Sequence, residues 1–373
     1  MKEHWDLEEG VLHLNHGSFG ACPRAVLRYQ QSLRQELESN TTGFMVRRLP
    51  ALLAEAKEKL SQFVGVDAKD LAFVPNTTTG VNAVVRSLSL EPGDEIVVTD
   101  HGYSACSNAA SYVAGKQGAK VVVAKIPHPI ETEQQAFEAV TRVVSERTKL
   151  VIVDHITSPT ALILPIAKLA EWLTGKGVKL LADGAHAPGM IALNIKELGV
   201  DYYVANCHKW LCAPKGSAFL WAHAENQEEL YPTSISLGYS KQLPGQSKFQ
   251  ARFDWNGTDD PTAFLAVPEA IKVVGEMMEG GWPSIYKRNS KLAASAQKIL
   301  IDSMGVQASC PTKMNGSMVA FPWPQGGLEK LSEHGIETPP KFGPGGEQVL
   351  RLSAHLYNQA HDYERLVDVL KKI

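Results

Sequence analysis

The middle of the chain alternates short apolar runs with longer stretches whose apolar residues recur at helical spacing. Regular alternation of strand and helix is typical of a mostly parallel sheet that helices cover on both faces. The sequence therefore predicts an α/β fold built around one large sheet. The predicted strands are residues 71–74, 95–99, 120–124, 150–154, 179–183, 201–205 and 217–221.

The alternation stops after Trp221, which divides the chain into two regions. Residues 225–252 are polar, and the patterns beyond them favour a smaller α+β domain in the C-terminal part. We expect an N-terminal segment of residues 1–15, a large domain of residues 16–282 and a small domain of residues 283–373. The predicted helices are residues 23–38, 51–63, 81–90, 103–117, 132–146, 165–176, 262–278, 289–303 and 361–372, with further strands at 317–321 and 349–352.

The chain has 373 residues and a net charge of −3, without a basic run or an acidic tail. This balance gives no electrostatic reason to expect nucleic acid or a membrane surface as a partner. The N-terminus lacks the apolar core of a signal peptide, and the five cysteines include no C-x-x-C pair of the kind found in zinc ribbons. We expect a cytoplasmic protein with reduced thiols, no metal ion and a small-molecule ligand.

Parallel sheets bind ligands at the carboxyl ends of their strands, so the residues just after each predicted strand carry the candidate chemistry. One strand is followed by Asn76-Thr77-Thr78-Thr79-Gly80, which opens a helix. Free backbone N–H groups and three hydroxyls at a helix N-terminus favour a phosphate. The next strand is followed by His101 and Tyr103, and either ring is suited to stacking on a planar ligand.

Two further strand ends carry charge. Asp183 closes a wholly apolar strand, where a carboxylate is costly to bury unless it meets a cation or hydrogen-bond donors. Either a metal ion, with His186 as a second ligand, or a cationic ring nitrogen meets this requirement. Lys209 stands between two apolar runs, and such burial lowers the pKa of a lysine, which makes it a candidate for covalent chemistry. The alternative for Lys209 is a side chain that reaches solvent at the strand end.

One ligand uses the whole set of strand-end groups. Pyridoxal phosphate has a phosphate for the Thr-rich turn, a flat ring for an aromatic side chain, and a phenolate oxygen for hydrogen-bond donors. It also has a ring nitrogen for Asp183 and an aldehyde for Lys209. The aspartate precedes the lysine by one strand–helix unit, as expected if neighbouring strands supply them. The combination predicts a pyridoxal-phosphate enzyme.

Several motifs follow one another along the chain in a recognisable order. They are Leu14-Asn15-His16-Gly17-Ser18-Phe19-Gly20, Asn76-Thr77-Thr78-Thr79-Gly80, Asp100-His101-Gly102-Tyr103, Asp183-Gly184-Ala185-His186, and Asn206-Cys207-His208-Lys209 with Pro214-Lys215-Gly216. Together they resemble fold-type I pyridoxal-phosphate enzymes of the class V aminotransferase superfamily, and within it the isopenicillin N epimerase-like group. The resemblance implies a large domain with a mostly parallel seven-stranded sheet and a smaller α+β C-terminal domain.

The resemblance also implies roles for individual residues. Lys209 forms a Schiff base with the cofactor and then moves protons at the substrate Cα. Asp183 pairs with the pyridinium nitrogen, and Tyr103, or less readily His101, stacks on the ring. His186 and a hydroxyl of Thr157 or Ser158 contact the phenolate oxygen. The phosphate is held by Thr77, Thr78 and His208, and Asn206 stands at a further position of this phosphate site.

Substrate contacts and a subunit contact follow from the same resemblance. Asn15 and His16 stand at positions of substrate-contacting residues. Arg351 stands where an arginine grips the substrate α-carboxylate, a task suited to its bidentate fork. Thr258 corresponds to a residue that reaches the phosphate of the neighbouring subunit. We therefore expect a homodimer with shared active sites.

The implied chemistry is Schiff-base formation with an α-amino acid, followed by cleavage of the Cα–H bond. Return of a proton to the other face gives epimerisation, loss of a β-substituent gives elimination as in a C–S lyase, and protonation of the cofactor gives transamination. The residues leave epimerisation and β-elimination open as the two expected outcomes.

Other activities are less favoured by the sequence. Cysteine desulfuration needs a nucleophilic thiol on a loop near the substrate, and residues 339–346 contain no cysteine. Cys310 precedes a predicted strand and is expected to be structural. A non-catalytic homologue that only binds pyridoxal phosphate is a further alternative, which the presence of Lys209, Asp183 and Arg351 disfavours.

Overall fold

The structure is a computed structural model that describes residues 1–243, 245–324 and 326–373. Its strands are β1 (Leu12–His13), β2 (Leu71–Val74), β3 (Glu95–Thr99), β4 (Lys120–Ala124), β5 (Thr148–Asp154), β6 (Lys179–Asp183), β7 (Tyr202–Asn206), β8 (Ala218–Ala222), β9 (Met318–Pro322), β10 (Ile336–Glu337), β11 (Lys341–Phe342) and β12 (Gln348–Ser353). The largest sheet has seven strands in the order β2-β8-β7-β6-β5-β3-β4. Strand β8 runs antiparallel to both neighbours, and the other pairs are parallel. The predicted mostly parallel seven-stranded sheet is therefore confirmed.

Helices cover both faces of this sheet. They are α1 (His16–Phe19), α2 (Arg24–Ser39), α3 (Leu49–Val64), α4 (Thr77–Arg86), α5 (Ser104–Lys116), α6 (Glu133–Val143), α7 (Ile166–Leu173), α8 (Ile195–Leu198), α9 (Lys248–Asp254), α10 (Thr262–Leu265), α11 (Val267–Gly275), α12 (Gly281–Met304) and α13 (Ala360–Leu370). Apolar side chains of α4 and α5 pack on one face, and those of α3, α6 and α7 pack on the other. Two-sided burial explains why the strands are apolar without alternation.

The C-terminal region forms its own layer. Strands β11, β12 and β9 make a three-stranded antiparallel sheet, which α12 and α13 cover. The N-terminal strand β1 pairs in parallel with β10, and Leu12 and Leu14 belong to the same apolar cluster as Val367 and Leu370 of α13. The expected boundary between residues 282 and 283 falls in the first turn of α12.

One predicted helix is wrong in its continuity. The helix predicted over residues 262–278 is two helices, α10 and α11, which meet at Ala266. Pro268 stands in the first turn of α11, where its missing N–H does no harm, but a longer helix through this position would lose a hydrogen bond. No helix among the described residues is long and apolar enough to cross a membrane.

Candidate active site

The carboxyl ends of β5, β6 and β7 bring charged side chains to one edge of the large sheet. Asp154 ends β5 and Asp183 ends β6, and the two residues pair in register on neighbouring strands. Both are buried, with exposures of 4% and 2%. Lys209 lies between β7 and β8, is half-buried, and is close enough to both carboxylates to feel their charge. The structure thus brings the predicted Asp183 and Lys209 together.

His186 contacts the amine of Lys209. Its Nε2 lies 3.1 Å from Lys209 Nζ, while the indole N–H of Trp210 donates to its Nδ1 at 3.3 Å. A ring nitrogen that accepts a hydrogen bond carries no proton in neutral imidazole, so the proton of His186 is on Nε2. Nε2–H then donates to Lys209 Nζ, which accepts only as a neutral amine. The contacts of His186 therefore favour Lys209 as the free base.

The electrostatic surroundings of Lys209 act in the same direction. Burial lowers the pKa of its amine to about 8, with the charge of Arg351 as the next cause, and Asp183 partly opposes the shift. Burial and then the charge of Lys209 hold the pKa of His186 well below its usual range. Near neutral pH, a neutral imidazole therefore lies beside an amine that loses its proton more readily than a solvated lysine does.

Asp183 accepts two hydrogen bonds within the protein. Its Oδ1 accepts from the backbone N–H of Ala185 at 3.0 Å, and its Oδ2 accepts from the thiol of Cys106 at 3.1 Å. Burial raises the pKa of Asp183, and these two bonds partly offset that effect. A cationic ring nitrogen placed against this carboxylate favours the ionised form, which is the pairing expected from the sequence.

Asp154 is a second buried carboxylate at the same edge. The backbone N–H groups of Tyr103 and Ser158 face it and lower its pKa, but burial and the charge of Asp183 outweigh them and raise that pKa well above the usual range. Asp154 therefore connects the residue before α5 with the loop after β5. These are the two segments that carry the predicted stacking ring and a predicted ligand hydroxyl.

The Thr-rich turn forms the N-terminus of α4. Asn76 Oδ1 accepts from the N–H of Thr79 at 2.8 Å and caps the helix, which therefore begins at Thr77 and not at the predicted residue 81. Asn206 Oδ1 accepts from the N–H of Thr77 at 3.0 Å. The hydroxyl of Thr77 is buried and has no partner among the described residues. An unpaired hydroxyl at the positive end of a helix fits a phosphate oxygen.

Two further predicted phosphate contacts, Thr78 and His208, are half-buried. His208 Nδ1 donates to the carbonyl oxygen of Ser217 at 2.9 Å, so the neutral ring presents a lone pair at Nε2. Burial lowers the pKa of His208 to about 4. A neutral ring in this orientation does not donate to a phosphate. The predicted contact therefore requires a bound dianion that raises the pKa of His208 and protonates Nε2.

The two candidates for stacking differ in exposure. Tyr103 precedes α5 and is 47% exposed, whereas His101 is fully buried. His101 Nδ1 lies 2.8 Å from the hydroxyl of Thr160, and its Nε2 lies 3.2 Å from the carbonyl oxygen of Ile126. Because both nitrogens of His101 are engaged within the protein, Tyr103 is the ring that a ligand can reach.

The two hydroxyls predicted on the loop after β5 also differ. Thr157 is fully buried, and its Oγ1 lies 2.7 Å from Thr160 Oγ1 and accepts from the N–H of Leu162 at 2.8 Å. Its hydroxyl therefore shapes the loop itself. Ser158 is half-buried and lies beside Arg351, whose Nη1 donates to the Ser158 carbonyl oxygen. Ser158 is the better placed of the two for contact with a ligand.

Arg351 reaches from β12 toward the N-terminal residues. Its Nη2 donates to Asn15 Oδ1 at 3.0 Å and to Ser18 Oγ at 2.8 Å. Arg351 is 1% exposed, its Nε has no partner among the residues described, and burial lowers its pKa to about 10. A buried guanidinium held by neutral oxygens is suited to binding a carboxylate. Asn15 thus positions Arg351, and its predicted contact with a substrate stays a prediction.

His16 is buried behind Lys209. Its Nε2 lies 3.0 Å from the Lys209 carbonyl oxygen, and its Nδ1 lies 2.9 Å from the hydroxyl of Tyr357. With both nitrogens engaged, His16 holds the backbone of the lysine in this structure, and its expected contact with a substrate stays a prediction. On the same side, Gly20 adopts a φ of +68°, and a Cβ there would lie 2.1 Å from the His208 carbonyl oxygen, so the turn needs glycine.

His16, Cys212 and His355 form a buried cluster of possible metal ligands. Cys212 Sγ lies 3.7 Å from His16 Nε2 and 3.5 Å from His355 Nε2, which are spacings of tetrahedral ligands. The two imidazoles, however, are stacked with centroids 3.8 Å apart and planes inclined by 16°. Lone pairs lie in the ring planes, so nearly parallel rings do not converge on one ion. We therefore interpret the cluster as packing beneath Lys209.

Thr258 lies apart from these contacts. It is exposed on the loop between α9 and α10. Its expected role concerns a neighbouring subunit and stays a prediction.

With this geometry described, the chain can be compared with known proteins. A family model described as aminotransferase class V matches residues 21–366. The chain belongs to the class V aminotransferase family. Isopenicillin N epimerase from Streptomyces clavuligerus is 32% identical over 387 residues, covering 98% of this chain and 95% of that protein. The enzyme of the same name from Amycolatopsis lactamdurans is 33% identical over 392 residues, covering 100% and 97%.

Other similar proteins have names that describe the cleavage of C–S bonds. A probable chloroplastic L-cysteine desulfhydrase from Arabidopsis thaliana is 26% identical over 394 residues, covering 96% of this chain and 82% of that protein. The solved structure of the cystine C–S lyase C-DES with cysteine persulfide has a TM-score of 0.83 at 22% identity and covers 97% of each chain. These findings confirm the predicted fold, and the relatives' names include both predicted outcomes, epimerisation and C–S cleavage.

Membership of the class V aminotransferase family confirms the predicted pyridoxal-phosphate enzyme, and the residues present fit that cofactor. The unpaired hydroxyl of Thr77 fits the phosphate, and the buried carboxylate of Asp183 fits a cationic ring nitrogen. Nε2–H of His186 fits the phenolate oxygen, and the free amine of Lys209 fits the aldehyde. The individual contacts stay predictions.

Asp154, Trp210 and Cys106 contact predicted site residues, yet no role was predicted for them from the sequence. Asp154 closes an apolar strand as Asp183 does, so the same argument about a buried carboxylate was available for it. Trp210 follows Lys209 directly, yet its hydrogen bond to His186 depends on two loops meeting. Cys106 gave no signal, because its contact with Asp183 joins α5 to β6.

Proposed function

We propose that this class V aminotransferase family member cleaves the Cα–H bond of an α-amino acid and yields either an epimer or a β-elimination product. The main support is the amine of Lys209. The hydrogen bond from His186 favours this amine as a free base, and the amine lies close enough to Arg351 to feel its charge. An amine base and a carboxylate-binding guanidinium in one site suit an amino acid whose Cα proton is removed.

Pyridoxal phosphate bound at this site supplies the electron sink that makes the Cα proton removable. Lys209 takes that proton, because its lowered pKa leaves an amine that accepts protons near neutral pH. Asp183 favours a positive charge on the ring nitrogen and so strengthens the sink. Arg351 holds the α-carboxylate and thereby orients the Cα–H bond toward Lys209.

The step after Cα–H cleavage separates the two outcomes. Epimerisation needs an acid on the face opposite Lys209, and elimination needs a leaving group at Cβ. We assign Tyr103 as the second proton donor in either case, since it is the ring open to a ligand. Two epimerases at 32% and 33% identity support the first outcome, and the desulfhydrase at 26% supports the second.

Cysteine desulfuration is not supported as an alternative. Residues 339–348, which include the β11–β12 hairpin, contain no cysteine. Cys310 is buried and donates to Asn315 Oδ1, and burial raises the pKa of its thiol to about 12, which disfavours the nucleophilic thiolate. Transamination stays an alternative that the experiment below distinguishes.

The test is incubation of the purified protein, loaded with pyridoxal phosphate, with L- and D-amino acids and cysteine conjugates in deuterated water. We expect yellow protein, retention of the pyridoxyl group on Lys209 after borohydride reduction, and loss of the Cα proton, which deuterium replaces at Cα in an epimer but not in a β-elimination product. Inversion at Cα identifies an epimerase, pyruvate with a released thiol identifies a C–S lyase, and an oxo acid with aminated cofactor identifies an aminotransferase. Protein that stays colourless with added cofactor contradicts the proposal.

We further propose a homodimer in which Thr258 of each subunit reaches the phosphate of the other. This role is supported by the exposure of Thr258 and by its place on a loop outside the chain's own site. Sedimentation velocity at micromolar protein is expected to give twice the mass of the 40.7 kDa chain. A monomer that retains full activity contradicts the shared site.

A further inference from the structure

Lys341 is a cation of the site that the chemistry proposed above does not use. It lies in β11, is half-buried, and donates from Nζ to Ser18 Oγ at 3.1 Å. The same hydroxyl accepts from Arg351 Nη2 at 2.8 Å and donates to Asn15 Oδ1 at 2.6 Å. The ammonium and the guanidinium therefore share one oxygen, and their nitrogens lie less than 6 Å apart.

The two cations have no counter-ion in the part of the chain that the structure describes. Neither Lys341 nor Arg351 forms a salt bridge there. Burial and then the charge of Arg351 lower the pKa of Lys341 to about 8. Adjacent cations that have lost part of their hydration repel each other until anions balance them. One α-carboxylate balances Arg351 and leaves Lys341 unmatched.

The backbone that carries Lys341 is anchored on both sides. Lys341 pairs with Val349 in the β11–β12 hairpin. At the end of the same hairpin, Glu347 lies 2.6 Å from Nδ1 of His128, whose side chain is 3% exposed. The hairpin is thus fixed to a buried residue outside the small sheet. Lys341 is therefore a fixed part of the site wall and differs from a lysine on a free surface loop.

We propose that Lys341 forms a second anion subsite beside Arg351, and that the preferred substrate is an α-amino acid whose side chain carries a second carboxylate. The proposal rests on the amino-acid chemistry proposed above and names its substrate class. Because the two cationic nitrogens are less than 6 Å apart, the second carboxylate belongs a few bonds from Cα. A cysteine S-conjugate with a short acidic substituent has this spacing.

The test compares two substrates that differ in the charge of one group. S-carboxymethyl-L-cysteine and its neutral amide, S-carbamoylmethyl-L-cysteine, are nearly equal in shape. The measurement is the initial rate at which the Cα–H proton signal is lost in deuterated water at substrate concentrations below KM, which reports kcat/KM whether exchange or elimination follows. We expect the wild-type holoenzyme to prefer the carboxylate about tenfold, the change that one charge-assisted hydrogen bond makes. Lys341→Gln is expected to bring the ratio close to one, and Lys341→Arg to restore most of it.

Lys330→Gln is the matched control, because Lys330 is exposed in the same region and lies outside the site. Its ratio is expected to equal that of the wild type. An equal loss on both substrates in Lys341→Gln overturns the proposal, since Lys341 would then act on the α-carboxylate or on structure. A wild-type ratio near one also overturns it. Retention of the Cα proton in every amino acid tested is a different result, which contradicts the proposed function itself.

Discussion

Two buried or half-buried lysines of this chain have partners of different kinds. The side chain of Lys57 on α3 is 5% exposed, and it donates to both carboxylate oxygens of Asp254 at 2.7 Å. Lys209 has no carboxylate at salt-bridge distance among the described residues and faces the imidazole of His186. The charge of Lys57 is matched, whereas Lys209 lies where losing its proton is favourable. A buried lysine is suited to act as a base and nucleophile where no carboxylate lies at salt-bridge distance from its amine.

The arginines show the same contrast. Arg252 Nη1 donates to the carbonyl oxygens of Gln227, Glu228 and Leu230, and its guanidinium lies over the ring of Tyr231 at 4.2 Å. Arg351 Nε–H has no partner among residues 1–243, 245–324 and 326–373. Arg252 thus binds groups of the protein itself, while Arg351 has an N–H donor that can bind a ligand.

The largest effect is expected from removing each of the two lysines in turn. Lys209→Ala removes the base, and we expect the rate of Cα–H cleavage to fall by about 10⁴-fold with little change in stability. Lys57→Met leaves the Asp254 carboxylate without its cation, although Gln246 Nε2 still donates to it, and we expect the free energy of unfolding to fall by about 3 kcal/mol. Denaturant unfolding and single-turnover exchange measure the two effects.

The comparison fails if the two variants behave alike. Lys57→Met protein that is folded and loaded with cofactor is expected to exchange Cα protons near the wild-type rate. A rate that is lower by about 10³-fold or more in that variant lies in the range of general-base catalysis and would show that Lys57 also takes part in the reaction.

The next effect concerns Asp183, the buried carboxylate that is expected to pair with the ring nitrogen of the cofactor. Asp183→Asn keeps the shape but removes the charge that holds a ring nitrogen protonated, and we expect the exchange rate to fall by about 10²–10³-fold. Cofactor absorbance and exchange are measured together. Asp201→Asn, a change of a half-buried carboxylate at the opposite end of β7, is the matched control and keeps the wild-type rate. An unaltered rate in Asp183→Asn would make Asp183 structural.

A smaller effect tests why Lys209 is a free base. Lys209 reacts with an aldehyde only as the neutral amine, so cofactor-free protein is expected to turn yellow with a rate that rises with pH and is half-maximal near pH 8. Trp210→Phe removes the donor that fixes the proton of His186 on Nε2. His186 then offers a lone pair to the ammonium, which raises the pKa of Lys209.

We expect the midpoint in Trp210→Phe to move upward by about 0.5–1 pH unit, the equivalent of one neutral hydrogen bond. Stopped-flow absorbance between pH 6.5 and 9.5 measures it. Trp172→Phe, on α7, is the control and keeps the wild-type midpoint. A downward shift or none in Trp210→Phe rejects the tautomer assignment.

The smallest effect belongs to the subunit contact. Thr258→Ala removes one hydroxyl, and we expect the Kd for pyridoxal phosphate to rise about three- to tenfold. In a hybrid dimer of Thr258→Ala and Lys209→Ala chains, the one site that combines an intact Lys209 with the partner's intact hydroxyl is expected to regain wild-type affinity. Thr233→Ala, at another exposed threonine, is the control. Unchanged affinity in Thr258→Ala makes the loop a bystander.

Local sequence patterns were enough to predict the sheet, because buried strands read as apolar runs that polar residues end. That logic located Asp183 and Lys209, and it applied equally to Asp154, whose role was overlooked. The hydrogen bond between His186 and Lys209 could not be predicted from the sequence, because the proton position of His186 depends on Trp210 in another loop. Lys341 was missed because its meaning comes from Ser18, a residue 323 positions away.

The pairing of β1 with β10 has a consequence for how the enzyme is made. The contact of His16 with Tyr357 joins residues 341 positions apart, so the pocket closes only when both ends of the chain have met. A ribosome delivers the sheet and Lys209 well before Arg351 has been translated, and domains begin to fold during synthesis. The nascent polypeptide therefore carries Lys209 before the guanidinium that helps to lower its pKa has been made. The amine reaches its full reactivity toward aldehydes only after that later segment has packed against the site.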